Sequence, residues 1–252
     1  MNIDLNADAG ESFGAFRMGR DLELFDFIST VNVACGFHAG DPLTMQATLE
    51  LAKQKNVAVG AHPGYQDLVG FGRRILEATP EQVYADTVYQ VAALAGFAKL
   101  AGITLTHVKA HGALSTRAWV HAPTAEALAR ATQDFDPNLP LMVLPGTFLE
   151  SEAQKLNVPR LIEAFPERAY MKDGRLAPRS MAGSSIHDPK EAARRAVQMV
   201  KFHRVEAIDG GWFELAPQTL CIHGDNPHAP EIAKEVRAAL EAEGITISNA
   251  GL

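Results

Sequence analysis

Residues 57–109 read VAVGAHPGYQDLVGFGRRILEATPEQVYADTVYQVAALAGFAKLAGITLTHVK, and this stretch decides the fold. An apolar run at Val57–Gly60 is followed by a helix-period segment and by a second apolar run at Thr104–Lys109. Thr79 precedes Pro80-Glu81-Gln82, which places a capping side chain before a proline and a glutamine at the third helical position. This strand–helix–strand order is typical of a parallel sheet covered by helices.

The same unit recurs along the chain, because short apolar runs alternate with helix-period segments throughout. The 252 residues suit one parallel barrel and include no flexible linker, so we expect a single domain over residues 1–252. We predict an α/β fold, a TIM-barrel-like parallel (β/α) barrel that is irregular and has seven or eight strands. An open doubly wound sheet is the alternative. The seven strong runs and a weaker eighth are Ile3–Ala7, Val31–Ala34, Val57–Gly60, Thr104–Lys109, Leu141–Leu144, Arg160–Ala164, Thr219–Ile222 and Ile245–Ser248.

Charge and cysteine content indicate which kinds of binding partner and which cellular compartment the chain suits. The formal net charge is −7 without long acidic or basic runs, which argues against nucleic acid and anionic membranes and favours a small-molecule substrate. Cys35 and Cys221 lie far apart in apolar runs, so we expect neither a disulfide framework nor a paired zinc motif. No segment resembles a signal peptide or a membrane span, which predicts a cytoplasmic protein. Association into a homo-oligomer stays open.

Four of the nine histidines directly follow predicted strands: His38, His62, His111 and His223. In a parallel barrel the carboxyl ends of the strands share one face, so these side chains would meet in one pocket. A single loop histidine is more often a packing or capping residue, but their recurrence at strand ends favours a shared polar site.

The residues at these strand ends suit two kinds of chemistry. Asp8 with His38, His62 and His111 could bind zinc, iron or manganese, because carboxylate and imidazole ligands suit these metals. The same residues could instead form a metal-free set of acid, base and orienting groups. The sequence leaves both alternatives open.

Anion binding is also indicated, although neither a Walker A motif nor G-x-G-x-x-G occurs. The segment from Gly36 through Gly40 to Asp41 ends a strand and opens a helix, which presents backbone N–H groups to an anion. Arg73 and Arg74 follow a glycine-rich turn and suit phosphate or carboxylate, unless they are a solvated basic pair. Lys109 could neutralise such a group, or form a structural salt bridge.

Five motifs in order along the chain resemble the LamB/YcsF family. They lie at residues 4–14 (DLNADAGESFG), 32–42 (NVACGFHAGDP), 60–65 (GAHPGY), 70–74 (GFGRR) and 221–227 (CIHGDNP). The resemblance implies a barrel of the glycoside hydrolase/deacetylase type. It also implies one component of an ATP-dependent 5-oxoprolinase, which opens 5-oxo-L-proline to L-glutamate with release of ADP and phosphate. ATP with Mg²⁺ as cofactor and partner subunits B and C follow from the same resemblance.

Two segments depart from the family pattern. Ala110 and Ser115 replace a proline and a tyrosine, and Pro166-Glu167 replaces Ala-Asp, which puts the tyrosine's contact with substrate in doubt. Lys109, His111, Glu163 and Arg168 are retained. The predicted catalytic residues are Asp8, Lys109, His111, His223 and Asp225, and those predicted to bind substrate or phosphate are Gly36, His38, Gly40, Asp41, His62, Arg73, Arg74, Glu163 and Arg168.

These residues have candidate roles in opening a stable lactam. Asp8 or Asp225 would act as base or magnesium ligand, His111 or His223 would transfer protons, and the cationic side chains would balance phosphate or carboxylate charge. Two other functions compete with this one. They are a self-sufficient metal-dependent deacetylase or amidohydrolase on the same barrel, and a binding protein without catalytic activity of its own.

Overall fold

A closed barrel of seven parallel strands forms the centre of the computed structural model, which describes residues 1–250. The strands are β1 (Asn2–Ala9), β2 (Thr30–Ala34), β3 (Ala58–His62), β4 (Leu105–Val108), β5 (Leu141–Val143), β6 (Arg160–Ala164), β7 (Arg204–Glu206), β8 (Trp212–Glu214), β9 (Thr219–Ile222) and β10 (Thr246–Ile247). The helices are α1 (Asp21–Leu24), α2 (Pro42–Lys55), α3 (Pro80–Ala101), α4 (Gly112–Val120), α5 (Ala122–Phe135), α6 (Phe148–Lys155), α7 (Pro189–Phe202) and α8 (Ala229–Ala242).

The barrel follows the order β1-β2-β3-β4-β5-β6-β9 and closes because β9 also pairs with β1. Each of the seven strong apolar runs contributes one barrel strand, so the predicted parallel barrel is confirmed. The weaker eighth run forms β10, which pairs with β1 at Asn2 and Ile3 and adds a strand to the sheet outside the ring. The predicted single domain ends at residue 252, and residues 251 and 252 lie outside the described part of the chain.

The sequence did not predict the antiparallel hairpin of β7 and β8. Each of these strands has three residues, and Val205 is the only one of the six that is fully buried. Two three-residue strands give too little alternation to be recognised as strands. The segment before α7, residues 167–187, has no helix and only isolated bridges such as Arg168 with Ser185.

The helix signals of the opening stretch act as predicted. The Thr79 hydroxyl accepts from the Gln82 backbone N–H, and the Gln82 side chain accepts from the Thr79 backbone N–H. Gly102 ends α3 in the left-handed region at φ 73°. One face of α3 is buried against the barrel, and it carries Val83, Thr87, Val91, Leu94 and Ala98. Among residues 1–250, no helix is long and apolar enough to cross a membrane.

The inside of the barrel is polar on the side of β1. Asp4, Asn6 and Asp8 alternate along that strand and are all buried. The Asp4 carboxylate accepts hydrogen bonds from the hydroxyls of Thr30 at 2.6 Å and Thr219 at 2.5 Å. Burial raises the pKa of Asp4. Branched apolar side chains usually fill such barrels, so this column of buried polar residues is an exception to the usual barrel interior.

Replacing Gly60 with alanine is expected to destabilise the fold by about 1–3 kcal/mol. A Cβ at Gly60 would lie 2.0 Å from His107 Nε2, and the His107 ring is buried and hydrogen-bonded to Asn32 and Thr106. Urea unfolding measures the loss. Gly96→Ala is the matched control, since nothing lies within 4 Å of a Cβ there. In the interior of a helix this control should stabilise by about 0.5–1 kcal/mol, and equal effects of the two changes would contradict the clash.

Candidate functional site

The carboxyl ends of the barrel strands bring most of the predicted polar residues together. Asp8 lies near the end of β1, His62 ends β3, and His38, His111 and His223 follow β2, β4 and β9. All of these except His223 are buried, and His223 is partly exposed at the mouth. The four histidines therefore lie at the same end of the barrel, which is the arrangement that a shared pocket requires.

Lys109 forms the centre of a buried ionic network directly beneath the mouth. Its Nζ lies 2.8 Å from Asp8 Oδ1, 2.9 Å from Glu163 Oε1 and 2.9 Å from Cys221 Sγ. Burial alone would lower the pKa of Lys109, but the charge of Asp8 and the other neighbours outweighs it and raises the pKa well above its usual value. Lys109 is therefore a fixed cation that holds two carboxylates in place.

The two oxygens of Asp8 have different surroundings. Oδ1 accepts from Lys109 Nζ and from Asn32 Nδ2, each at 2.8 Å. Oδ2 faces His62 Nε2 at 3.5 Å. Burial opposes ionisation of Asp8, but the nearby His62 and Lys109 outweigh it and hold the pKa of this carboxyl well below its usual value. Asp8 is thus an anion at neutral pH with one oxygen that Lys109 and Asn32 leave available.

Four buried residues meet next to Asp8. Each of Glu11, His38, His62 and His111 offers one ligand atom, and these atoms lie within 4.8 Å of one another, so the cluster could hold a metal ion. The metal set predicted from sequence contained Asp8 instead of Glu11. Glu11 Oε1 lies 3.4 Å from His38 Nε2, whereas Asp8 lies at the edge of the cluster with Oδ2 3.5 Å from His62 Nε2 and Oδ1 bound to Lys109.

Close backbone packing holds the histidines in place. The rings of His38 and His111 stack with centroids 3.7 Å apart and planes 3° from parallel. A Cβ at Gly72 would lie 2.6 Å from His38 Cβ, and one at Gly64 would lie 2.7 Å from His38 Nδ1. Burial lowers the pKa of His38, and burial lowers the pKa of His111 to about 3. Both imidazoles are therefore neutral at physiological pH.

The two adjacent arginines have different positions. Arg73 is half exposed at the mouth, where it pairs with Asp225 across the barrel and lies over the Phe71 ring, 5.1 Å from its centroid. Arg74 pairs with the buried Asp67 of its own turn. Of this pair, only Arg73 faces the strand-end residues.

A small cavity of about 190 Å³ opens beside Asp225. Glu167 supports it by accepting from the His223 backbone N–H at 2.8 Å and from Asn226 Nδ2 at 2.7 Å. Burial, followed by the charge of neighbouring Arg179, lowers the pKa of Arg168 to about 10. The cavity is lined by Glu167, Arg168, Arg179, Ser185, Ile186, His187, His223, Asp225, Asn226 and Pro227.

Two guanidinium groups and two carboxylates line this cavity, and the carboxylates already have partners, Glu167 in His223 and Asn226 and Asp225 in Arg73. The guanidinium groups of Arg168 and Arg179 therefore make the cavity a candidate site for a small anion. A larger cavity of about 510 Å³ lies between α3 and α5, but none of the predicted site residues lines it. We place the functional site at the smaller cavity and the adjoining strand ends for that reason.

Several residues predicted to bind substrate or phosphate also make contacts that support the fold. Asp41 caps α2 by accepting hydrogen bonds from the N–H groups of Leu43 and Thr44. Two of the backbone N–H groups that were predicted to bind an anion therefore donate to the carboxylate of Asp41. A Cβ at Gly40 would lie 3.0 Å from the carbonyl oxygen of Gly10, and the N–H of Gly36 donates to the carbonyl of Ala39. Glu163 is bound to Lys109. Arg168 donates to the carbonyls of Ala177 and Ser184 while still lining the cavity.

Sequence reasoning missed several members of the site. Both Asp8 and Glu11 follow the first predicted strand in the sequence. The predicted metal ligands included Asp8, which lies closer to that strand, and did not include Glu11. Arg179 and Glu167 lie in an irregular segment that carries no periodic signal, and Asn32 lies inside a strand. The sequence identifies Cys221 only as a buried thiol. Burial raises the pKa of Cys221 well above the usual value, so it is a neutral neighbour of Lys109.

Comparisons with known proteins agree with this barrel and its motifs. The chain is 57% identical over 247 residues to the 5-oxoprolinase A subunit of Thermus thermophilus, a match that covers 98% of this chain and 99% of the relative. A solved structure of a "lactam utilization protein" from the same organism superimposes with a TM-score of 0.96 at 55% identity, covering 98% of this chain and 99% of that one.

A more distant match bears on the fold alone. A GH18 chitinase from Pseudoalteromonas aurantia has a TM-score of 0.53 at 11% identity, covering 94% of this chain and all of the other, and this agrees with the predicted barrel type. The LamB/YcsF family model matches residues 3–251, which includes all five motifs and, apart from Asn2, every residue of the barrel strands. With near-complete coverage and more than half of the residues identical to a relative, the chain belongs to the LamB/YcsF family.

Proposed function

We propose that this chain is the A subunit of a cytoplasmic, ATP-dependent 5-oxoprolinase that opens 5-oxo-L-proline to L-glutamate together with subunits B and C. The observation that carries the proposal is the full-length identity of 57% with a protein named as the A subunit of 5-oxoprolinase. Both cysteines are free and buried, in keeping with a reducing compartment. The geometry of the strand-end site supports the reaction in three ways.

First, the small cavity suits the substrate's charge and size. 5-Oxoproline is a compact molecule with one carboxylate, and Arg168 and Arg179 line the cavity together with His223 and Asn226. Planar guanidinium groups bind carboxylates in two-point contacts. At about 190 Å³ the cavity is smaller than the roughly 300–1,000 Å³ of pockets for drug-sized ligands. A small amino-acid lactam is therefore the better fit.

Second, Asp8 is placed to handle the attacking water. Lys109 and Asn32 fix Oδ1, which leaves Oδ2 to accept a hydrogen bond from water and then its proton as the bond to the carbonyl carbon forms. Lys109 keeps the carboxyl ionised, so Asp8 needs no prior deprotonation. His223, partly exposed at the mouth and stacked on Phe165, is our candidate for donating a proton to the departing ring nitrogen.

Third, the mouth suits a phosphoryl group better than a whole nucleotide. Arg73 presents an accessible guanidinium there, and Asp225 beside it is a carboxylate that could bind Mg²⁺. ATP supplies the phosphoryl group that activates the lactam carbonyl, which is otherwise a poor electrophile. Since the cavity is too small for ATP, we propose that the partner subunits provide most of the nucleotide site.

One observation favours a second function. The cluster of Glu11 with three histidines is a donor set found in metal-dependent hydrolases, so the lone chain could act on an amide without ATP. Such an enzyme would need neither partner subunits nor a nucleotide.

Reconstitution distinguishes the two functions. We expect glutamate and phosphate to form from 5-oxoproline only when the chain, subunits B and C and ATP with Mg²⁺ are all present. Each single omission serves as a control, and glutamate is measured by amino-acid analysis alongside released phosphate. Glutamate formation by the chain alone without ATP would instead support the metal-dependent amidohydrolase. Complete turnover by B and C without this chain would contradict a catalytic role for it.

A further inference from the structure

The four residues that meet beside Asp8 have the spacing of a metal-binding site. Glu11 Oε1 lies 3.4 Å from His38 Nε2 and 3.8 Å from His111 Nδ1, and His111 Nδ1 lies 3.1 Å from His62 Nε2. A tetrahedral zinc ion with bonds near 2.0–2.1 Å requires ligand atoms roughly 3.3 Å apart. These three distances are close to that value and all four ligand atoms lie within 4.8 Å of one another, so the cluster could hold one ion.

The hydrogen bonds of two histidines determine which of their nitrogens carry protons. His62 Nδ1 lies 2.8 Å from the carbonyl oxygen of Lys109, and His111 Nε2 lies 2.8 Å from that of Phe71. A carbonyl can only accept, so each of these nitrogens carries the hydrogen and donates it. In a ring that carries only this one proton, the other nitrogen, His62 Nε2 or His111 Nδ1, has a lone pair that can bind a metal ion.

These two lone-pair nitrogens face each other at 3.1 Å. Neither can donate to the other while both rings are neutral and their N–H groups point at carbonyls. Such a contact is repulsive unless a proton on one of the two nitrogens or a metal ion between them joins the two lone pairs. Backbone carbonyls that orient the ring of a ligating histidine in this way are the usual support of metal sites.

The remaining two residues also lack a partner. In the described chain, Glu11 Oε1 and both ring nitrogens of His38 are buried without any hydrogen bond. Leaving a buried polar group unsatisfied costs about 1–3 kcal/mol, and more for a charged group. Three such atoms beside two facing lone pairs are not a stable arrangement for a purely structural cluster.

We propose that Glu11 Oε1, His38 Nε2, His62 Nε2 and His111 Nδ1 bind one divalent transition-metal ion. Three imidazoles and one carboxylate suit zinc, iron(II) or manganese(II), and zinc fits the four-coordinate spacing. Magnesium, which prefers oxygen ligands, is disfavoured here. We assign the carboxylate ligand to Glu11 and not to Asp8, because Glu11 Oε1 is buried without a hydrogen-bond partner whereas Lys109 and Asn32 already bind Asp8. This site does not depend on the proposed lactam reaction.

Metal analysis of the purified full-length chain tests the proposal. After chelation and dialysis, titration with ZnCl₂ followed by elemental analysis should give one equivalent of zinc per chain. Glu11→Gln and His38→Ala should each weaken zinc binding more than about 100-fold, because they remove ligands rather than supporting groups. His228→Ala removes an exposed imidazole outside the cluster and serves as the matched control.

Asp8→Asn separates the two candidate ligand sets. We expect it to retain one equivalent of zinc, whereas loss of zinc in Asp8→Asn with retention in Glu11→Gln would overturn the set proposed here. If a ligand variant does not fold, the wild-type chain still tests the proposal. Co²⁺ bound to the wild-type chain should show the visible absorption of a tetrahedral site. A wild-type chain that takes up neither zinc nor Co²⁺ would overturn the proposal.

Discussion

Replacing Asp8 with asparagine is expected to lower turnover of 5-oxoproline by about 10²- to 10⁴-fold in the reconstituted complex. Asparagine keeps the shape of the side chain and can still accept hydrogen bonds at Oδ1 from Lys109 and Asn32. It removes the anionic oxygen that would take the proton of the attacking water. The loss should therefore appear in kcat, with a smaller effect on KM.

The experiment needs a carboxylate-to-amide control away from the barrel mouth. Asp26→Asn provides one, because Asp26 forms an exposed ion pair with Lys55 on the surface. Circular dichroism and thermal melting should show that both variants fold and still assemble with subunits B and C. Turnover by Asp8→Asn within a few-fold of the wild-type complex would remove Asp8 from the proposed mechanism.

The fold was largely predictable because its main signal is local. Each barrel strand is a short apolar run, and the helix starts carry explicit caps, such as Asp188 before Pro189 at the start of α7. Strand order is a different matter, since it depends on pairings between distant segments, such as Asp4 with Thr219. A short hairpin such as β7–β8 gives almost no periodicity, which is why the sequence did not reveal it.

The site was predictable in its histidines but not in its carboxylates. Strand ends placed His38, His62 and His111 on one face, and the structure brings them together with Glu11. The assignment of Glu11 or Asp8 as the carboxylate ligand of the cluster draws on a contact between distant residues. Lys109 binds Asp8, and it lies 101 residues from Asp8 along the chain. Sequence spacing carries no information on such a contact.

The sequence also could not show which of the two adjacent arginines lies at the barrel mouth. Arg73 and Arg74 are neighbours with the same chemistry, yet Asp225 pairs with the first and Asp67 with the second. Only the path of the turn after residue 70 decides which guanidinium reaches the mouth. Asp41 differs, because its place before Pro42 is a local capping signal, and the structure shows that cap at the start of α2.

Lys109→Met is expected to destabilise the fold by about 3–5 kcal/mol, the largest stability effect we predict. The change leaves the carboxylates of Asp8 and Glu163 buried without the cation that lies within 2.9 Å of both. Urea unfolding at pH 7 measures the loss. Lys155→Met is the matched control: its side chain is 67% exposed and pairs with Glu152, so about 0–1 kcal/mol is expected.

The pH dependence of this loss identifies its cause. In the wild-type chain the pKa of Asp8 is held well below its usual value, so its ion pair stabilises the fold above the unfolded pKa, near 3.8, and this contribution is lost as pH falls through the lower folded pKa. In Lys109→Met, burial without the cation should raise the folded pKa of Asp8, which destabilises the variant most at neutral pH and less under acidic conditions. The difference in unfolding free energy between the two proteins should therefore shrink between pH 7 and pH 4. A difference that stays constant over this range would mean that lost packing of the lysine side chain, rather than buried charge, causes the destabilisation.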